Sequence, residues 1–137
     1  MFKCKISITD KCTFCENEKE TATHLFVHCP FTESFWNSIR LSLEAKTTIA
    51  IDNAPSVILF GCIEDNDLFV VVNFILLTGK YYIYLCKMKK SPPTVDGYIS
   101  FLKYYKNIEE FDISTYSVRR IELVNRKWNL LQNFLIN

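Results

Sequence analysis

Hydrophobic residues recur at helical spacing over most of the chain. The first series predicts a helix from Phe31 to about Ala45 with one buried face. The side chains expected on that face are Phe31, Phe35, Trp36, Ile39 and Leu43. A residue before proline is pushed out of the α region, and proline suits a first helical turn. Cys29–Pro30 should therefore separate this helix from a shorter one over 24–28, capped by Thr21 or Thr23.

Three further helices are predicted in the second half of the chain. A long apolar series begins after a capping Asn66 and runs through Lys90, where Ser91-Pro92-Pro93 stops it. The next helix begins at Thr94 or Val95, and a polar break over 109–115 separates it from the last helix. The side chains expected to be buried are Tyr98, Phe101, Leu102 and Tyr105 in the former and Ile121, Val124, Trp128, Leu131 and Leu135 in the latter.

The remaining segments show shorter patterns. Residues 2–9 alternate loosely and predict a short extended stretch, and the apolar run 57–60 predicts a brief strand or turn. The predicted fold class is mainly all-α, with a small N-terminal knuckle and a short extended segment followed by about four to five helices. The expected parts are a knuckle plus helix over 1–46, a packed connector over 47–65 and a helical part over 66–137, which together form one compact domain.

The long apolar helix approaches the length of a membrane span. Leu68 to Cys86 contains 19 residues and a single charge, Lys80. Asn66, Asn73, Lys80 and Lys87 recur every seven residues and form a narrow polar stripe, which favours a buried helix of a soluble bundle. Membrane association is therefore not expected, and a single-pass membrane protein stays open as a less favoured alternative.

Composition and charge indicate a globular protein with one basic half. Hydrophobic residues make up 49% and charged residues 23%, which excludes a disordered chain. The net charge of +1 combines −4 over residues 1–79 with +5 over residues 80–137. Such a basic half predicts contact with RNA or DNA, and the alternative is that these residues are only the solvated faces of helices. The candidate nucleic-acid-binding residues are Lys87, Lys89, Lys90, Arg119, Arg120, Arg126 and Lys127.

Four residues near the N-terminus have the spacing of metal ligands. Two residues separate Cys12 from Cys15, eight separate Cys15 from His24, and four separate His24 from Cys29. Three thiolates and one imidazole saturate a tetrahedral Zn²⁺, so a structural zinc is predicted. His28 is a rival fourth ligand, and a cluster of buried thiols without metal is the alternative for the whole set. Cys4, Cys62 and Cys86 are scattered and are expected to be small core residues.

The residues available for chemistry do not predict an enzyme. Both histidines lie in the metal motif, which leaves no free imidazole to activate a nucleophile. The three glycines, at 61, 79 and 97, form no phosphate loop, and no small-molecule substrate is expected. The N-terminus resembles no secretory signal, so an intracellular protein, nuclear or cytoplasmic and without disulfides, is predicted.

Several segments together resemble one known family. They are Cys12-Thr13-Phe14-Cys15, Glu20-Thr21, His24-Leu25-Phe26, Cys29-Pro30-Phe31 and Phe35-Trp36. This set is similar to the zinc-binding (Cys-Cys-His-Cys) region at the C-terminal end of non-LTR retrotransposon reverse transcriptases. Later segments resemble the tail that follows this region: Ile58-Leu59-Phe60-Gly61, Lys80 to Tyr84 with Cys86-Lys87, Lys89 to Pro93, and Lys127-Trp128.

The resemblance implies a function that the residues alone do not. In that family the region is thought to assist binding of element RNA or target DNA, and Cys12, Cys15, His24 and Cys29 would be the zinc ligands. The chain departs from the family because it contains no polymerase motif and no nuclease domain. We therefore expect an accessory nucleic-acid-binding fragment of such an element. The alternative is a structural or protein-interaction module that packed against a missing polymerase.

Overall fold

The computed structural model describes residues 10–51, 54–61 and 67–136, and for residues 67–69 it describes the backbone only. Over these residues the fold is mainly all-α, as predicted, and its β structure is one isolated bridge between Lys11 and Lys19. A π-helical turn, His24–His28, precedes the first α-helix, and a 3₁₀ turn, Ile113–Thr115, precedes the last. The α-helices are α1 (Pro30–Lys46), α2 (Pro55–Phe60), α3 (Asp67–Lys89), α4 (Val95–Asp112) and α5 (Val118–Leu135). The predicted extended stretch over 2–9 and the predicted Asn66 cap lie outside the described residues.

Local sequence signals set most of the helix ends. Prolines occupy the first turns of α1 and α2, and the side chain of Thr94 caps α4 by accepting from the Gly97 N–H at 3.0 Å. Lys90 ends α3 in the left-handed conformation, with φ 56°. The Ser91 N–H then donates to the Cys86 carbonyl at 3.0 Å, a bond that closes the helix before the two prolines.

The first turn of α1 differs from the prediction. Phe35, Trp36, Ile39 and Leu43 are buried as predicted, but Phe31 is 43% exposed. The neighbouring Thr32 takes the inward position because its hydroxyl bonds to the preceding turn. Since adjacent helical residues project about 100° apart, Phe31 is turned toward solvent.

The apolar run at 57–60 forms α2, so the prediction of a brief strand or turn is wrong. Pro55 begins this helix, and Gly61, with φ 81°, ends it. Ile58 is its buried side chain, while Phe60 is exposed. Four apolar residues are too few for their spacing to distinguish a helix from a strand.

The predicted polar break over 109–115 is shorter in the structure, because α4 continues to Asp112. A side-chain contact keeps this last part helical. Glu109 accepts hydrogen bonds from Lys127 at 2.7 Å and from the Trp128 indole N–H at 2.9 Å. Both donors belong to α5, so the end of α4 is anchored to its neighbour.

The buried faces of the last two helices largely match the prediction. Fully or almost fully buried residues are Tyr98 and Leu102 in α4 and Val124, Trp128, Leu131 and Leu135 in α5. Ile121 and Phe101 are half-buried, whereas Tyr105 is exposed. The two helices therefore complete a core that α1 and α3 share.

Helix α3 packs closely against α1. Two residues of its predicted polar stripe, Lys80 and Lys87, contact other parts of the chain. A side chain at Gly79 would lie 2.5 Å from the Trp36 ring, so only glycine permits this approach. Lys80 donates to the Leu59 carbonyl of α2 at 2.9 Å, and Lys87 forms an ion pair with Glu20. The stretch Val70–Lys89 is long and apolar enough to cross a membrane by length and composition, and 44% of its most apolar window is buried within the fold.

Candidate metal centre

The first two cysteines lie in a tight backbone loop. The Cys12 N–H donates to the Glu18 carbonyl at 2.8 Å, and the Glu16 N–H donates to the Cys12 carbonyl at 2.9 Å. Glu16 adopts the left-handed conformation, with φ 58°, that reverses the chain here. The loop places the sulfur atoms of Cys12 and Cys15 within 4.8 Å of each other.

His24 and Cys29 lie at the two ends of the π-helical turn. The Cys29 N–H donates to the His24 carbonyl at 2.7 Å, which is the bond between residues five apart that defines a π turn. In an α-helix, side chains five residues apart project about 140° apart. The wider π turn brings them toward the same side, so this local geometry allows His24 and Cys29 to reach one centre.

Two side chains of α1 complete the hydrogen bonding of the π turn. Pro30 has no N–H, so the Leu25 carbonyl has no backbone donor five residues ahead. The Thr32 hydroxyl donates to this carbonyl at 2.7 Å, and the Trp36 indole N–H donates to the Phe26 carbonyl at 2.8 Å. Both side chains are buried, so water cannot easily replace either bond. Helix α1 therefore fixes the turn that carries the two ligands.

The four donor atoms have the spacing of a tetrahedral metal site. The sulfur atoms of Cys12 and Cys29 are 3.7 Å apart, and Cys15 Sγ lies 3.4 Å from His24 Nε2. All four donor atoms lie within 4.8 Å of one another. A tetrahedron with metal–sulfur distances of about 2.3 Å and metal–nitrogen distances of about 2.0 Å has edges of roughly 3.5 to 3.8 Å. One ion could therefore bind all four residues with little rearrangement.

Two of the thiols differ in how readily they lose a proton. The backbone N–H groups of Asn17 and Glu18, with a smaller effect of His24, lower the pKa of Cys15 to about 6. Burial raises the pKa of Cys29 to about 11. Cys15 is therefore mostly a thiolate at neutral pH, whereas Cys29 must release a proton when a metal binds. Metal binding at this site should tighten as the pH rises.

A carboxylate joins the cysteine loop to the end of α3. One oxygen of Glu20 accepts from both the backbone N–H and the hydroxyl of Thr13, each at 2.9 Å, and the other oxygen pairs with Lys87. Burial acts to raise the pKa of Glu20, but the bonds from Lys87 and Thr13 outweigh it and lower that pKa. Because Thr13 lies between the first two ligands, the loop position depends on this contact with α3.

His28, the rival fourth ligand, lies outside the cluster of four donor atoms. His28 is exposed and lines a separate cavity of about 240 Å³ beside Trp36 and Pro55. Cys86 is buried and not disulfide-bonded, and Cys4 and Cys62 lie outside the described residues. Phe14 and Trp36 belong to the core.

The candidate nucleic-acid-binding residues divide according to their surroundings. Lys87 is half-buried against Glu20. The other candidates except Lys127 have exposed side chains: Lys89 and Lys90 at the end of α3, and Arg119, Arg120 and Arg126 along α5. These five residues are placed where a polyanion could reach them.

Lys127 differs from the other candidates because its side chain lies between helices. Its side chain is only 11% exposed, and its ammonium lies 2.7 Å from Glu109 and 3.9 Å from the centre of the Phe74 ring. A cation enclosed by a carboxylate and an aromatic ring joins helices and is not available to phosphate. No local pattern predicts this contact, because Glu109 and Lys127 are eighteen residues apart on different helices.

Thr32 and Glu20 position the centre without being ligands. Thr32 can be recognised in the sequence as a polar residue at the start of an apolar helix face, directly after Pro30 and Phe31. The role of Glu20 depends on a lysine 67 positions further on, which no local pattern reveals.

Comparison with known families identifies the N-terminal region. Residues 1–36 match the family described as zinc-binding in reverse transcriptase. The match contains all four converging residues and confirms the resemblance of this region to the zinc-binding region of reverse transcriptases. The family is a zinc-binding accessory region and not a catalytic domain. Comparisons with curated proteins and with solved structures give no match.

The two histidines should respond differently to substitution. We expect His24→Ala to lose most of the bound metal and to destabilise the π turn, because one of four ligands is removed. His28→Ala should keep one equivalent of metal, since His28 lies outside the cluster. Metal content after purification under reducing conditions measures both variants. Loss of metal from His28→Ala with retention in His24→Ala would reassign the fourth ligand.

Thr32 should affect the metal affinity although it is not a ligand, because its hydroxyl bonds to the π turn. Thr32→Val leaves the Leu25 carbonyl buried without a donor, and we expect about 1–3 kcal/mol lower stability and about 10- to 100-fold weaker metal binding. Thr32→Ser keeps the hydroxyl and serves as the matched control. Competition with a chromophoric chelator measures the affinity. Equal affinity in both variants would show that the π turn holds its geometry without this bond.

Proposed function

We propose that this chain is a non-catalytic, zinc-stabilised nucleic-acid-binding accessory module, derived from the tail of a non-LTR retrotransposon reverse transcriptase. The observation that carries the proposal is the position of the metal centre beside the basic end of α3. A groove of about 500 Å³ lies between them and is lined by three lysines, Lys11, Lys87 and Lys90, and by two glutamates, Glu16 and Glu20, of which Glu20 pairs with Lys87. The lysines outnumber the glutamates, and this excess of positive charge favours a phosphate backbone.

Zinc is the metal that the donor set fits best. Three thiolates and one imidazole are soft to intermediate ligands, and tetrahedral sites of this kind are typical of structural zinc. When bound, the ion supplies folding free energy and no catalysis, because four protein ligands leave no position for water or substrate. Cys12, Cys15, His24 and Cys29 would hold it. A reducing, intracellular compartment suits these free thiols.

A second basic surface supports the same function. Arg119 and Arg126 are exposed on α5, and they lie in the half of the chain with the balance of +5. Arginine binds phosphate oxygens without regard to base sequence. We therefore propose sequence-tolerant binding of RNA or DNA, with the groove and α5 as its contact surfaces.

A protein-interaction module is a second candidate, favoured by exposed apolar side chains. Phe60 is 83% exposed and Phe111 is 87% exposed, and Leu77 is also exposed. Large apolar side chains in contact with water often mark a surface that a partner covers. In the source element this partner would be the polymerase region.

The salt dependence of binding tests the proposed function. We expect the zinc-loaded chain to bind oligonucleotides with an affinity that falls steeply as salt rises. Two double variants test the contacts: Lys89→Gln with Lys90→Gln, and Arg119→Gln with Arg126→Gln. Each should weaken binding to all sequences. Each should also reduce the salt slope by about one per lost phosphate contact. Fluorescence anisotropy over a salt series measures both quantities.

Arg40→Gln provides the matched control for these charge changes. Arg40 pairs with Glu44 on the surface of α1 and is not among the candidate residues, so its loss should leave the salt slope unchanged. Zinc-loaded protein without affinity for RNA or DNA would contradict the proposal and favour the protein-interaction module. An equal effect per removed charge in all three variants would attribute binding to net charge alone.

A further inference from the structure

A row of aromatic side chains crosses the surface from α3 to α4. Tyr81 of α3 is 55% exposed, and its ring lies 5.9 Å from that of Phe101 in α4. The Phe101 ring lies 6.3 Å from that of Tyr105, which is itself 36% exposed. We call Tyr81, Phe101 and Tyr105 the aromatic row. Its rings follow one another at a nearly constant spacing across two helices.

One exposed cation, Arg120, acts electrostatically on Tyr105 of the aromatic row. Arg120 stacks over the Tyr116 ring at 3.8 Å, and its side chain is exposed. Burial, Glu109 and Tyr116 raise the pKa of the Tyr105 phenol, and Arg120 opposes this shift, which places Arg120 within electrostatic range of the row. The carboxylate of Glu109 is paired with Lys127. The surface around Tyr105 therefore combines aromatic rings with an exposed guanidinium.

We propose that the aromatic row binds unpaired bases of single-stranded nucleic acid, with Arg120 meeting the phosphate backbone beside them. This inference rests on the proposed function and specifies its ligand class. A binding site for single-stranded nucleic acid needs two parts, exposed aromatic rings and nearby cations. The bases stack on the rings, and the phosphates contact the cations. A duplex offers the same phosphates, but its bases are already stacked and paired.

The tyrosines favour this occupant over an apolar protein surface. Tyr81 and Tyr105 each carry a hydroxyl, and a base edge can accept or donate hydrogen bonds to it. Stacking is tolerant of base identity since every base has an aromatic face. Arg120, which stacks over Tyr116 and acts electrostatically on Tyr105, adds a positive charge that complements a polyanion.

An abasic probe separates base stacking from phosphate binding. The zinc-loaded chain should bind an oligothymidine strand at least ten-fold more tightly than an abasic strand of the same length. Tyr81→Leu should bind the thymidine strand about ten-fold more weakly than the unsubstituted chain and should discriminate less between the two probes. Tyr81→Phe keeps the ring and should retain the discrimination. The salt slope should stay the same in both variants, because Tyr81 meets no phosphate.

Phe111→Leu is the control for loss of an exposed aromatic side chain elsewhere. Phe111 lies at the end of α4, outside the row, and its substitution should leave discrimination unchanged. Binding by the unsubstituted chain with no effect of Tyr81→Leu would overturn the aromatic row alone. No binding to any probe would overturn the proposed function as well. Self-association that Tyr81→Leu abolishes, without an effect on nucleic acid, would assign the row to a second copy of the chain and overturn the proposal.

Discussion

The π-helical turn between His24 and Cys29 is the constraint on which the metal centre depends. Residues five apart diverge on an α-helix, and the turn removes this divergence. Pro30 leaves one carbonyl without a donor, and Thr32 supplies the missing hydrogen bond from the following helix. The geometry of two ligands is therefore set by residues that bind no metal. This dependence explains why a long helix directly follows the last cysteine.

The metal centre and the helices stabilise each other through few but well-placed contacts. Trp36 donates to the π turn and also packs against Gly79 of α3, so one side chain joins the centre, α1 and α3. Glu20 makes a second connection through its ion pair with Lys87. Zinc bound to the four ligands would fix both connections at once. Loss of the metal should therefore loosen the contact between the cysteine loop and the basic end of α3.

The sequence predicted the helices better than it predicted the contacts between them. Spacing placed the buried residues of α1, α4 and α5 because a helix face repeats locally. It did not reveal contacts that depend on a distant partner, such as the one between Lys127 and Glu109. It also failed at 57–60, where the apolar run is too short to show a period. The four converging residues could be selected from spacing alone, whereas the π turn that brings two of them together could not.

Metal content combined with helical signal tests the central claim most directly. The chain, purified under reducing conditions, should contain one zinc per molecule, and a chelator should remove it with loss of structure and of cooperative unfolding. Restoring zinc should restore both. A chain that contains no zinc, or that keeps an unchanged fold and melting temperature after the chelator removes it, would contradict the account.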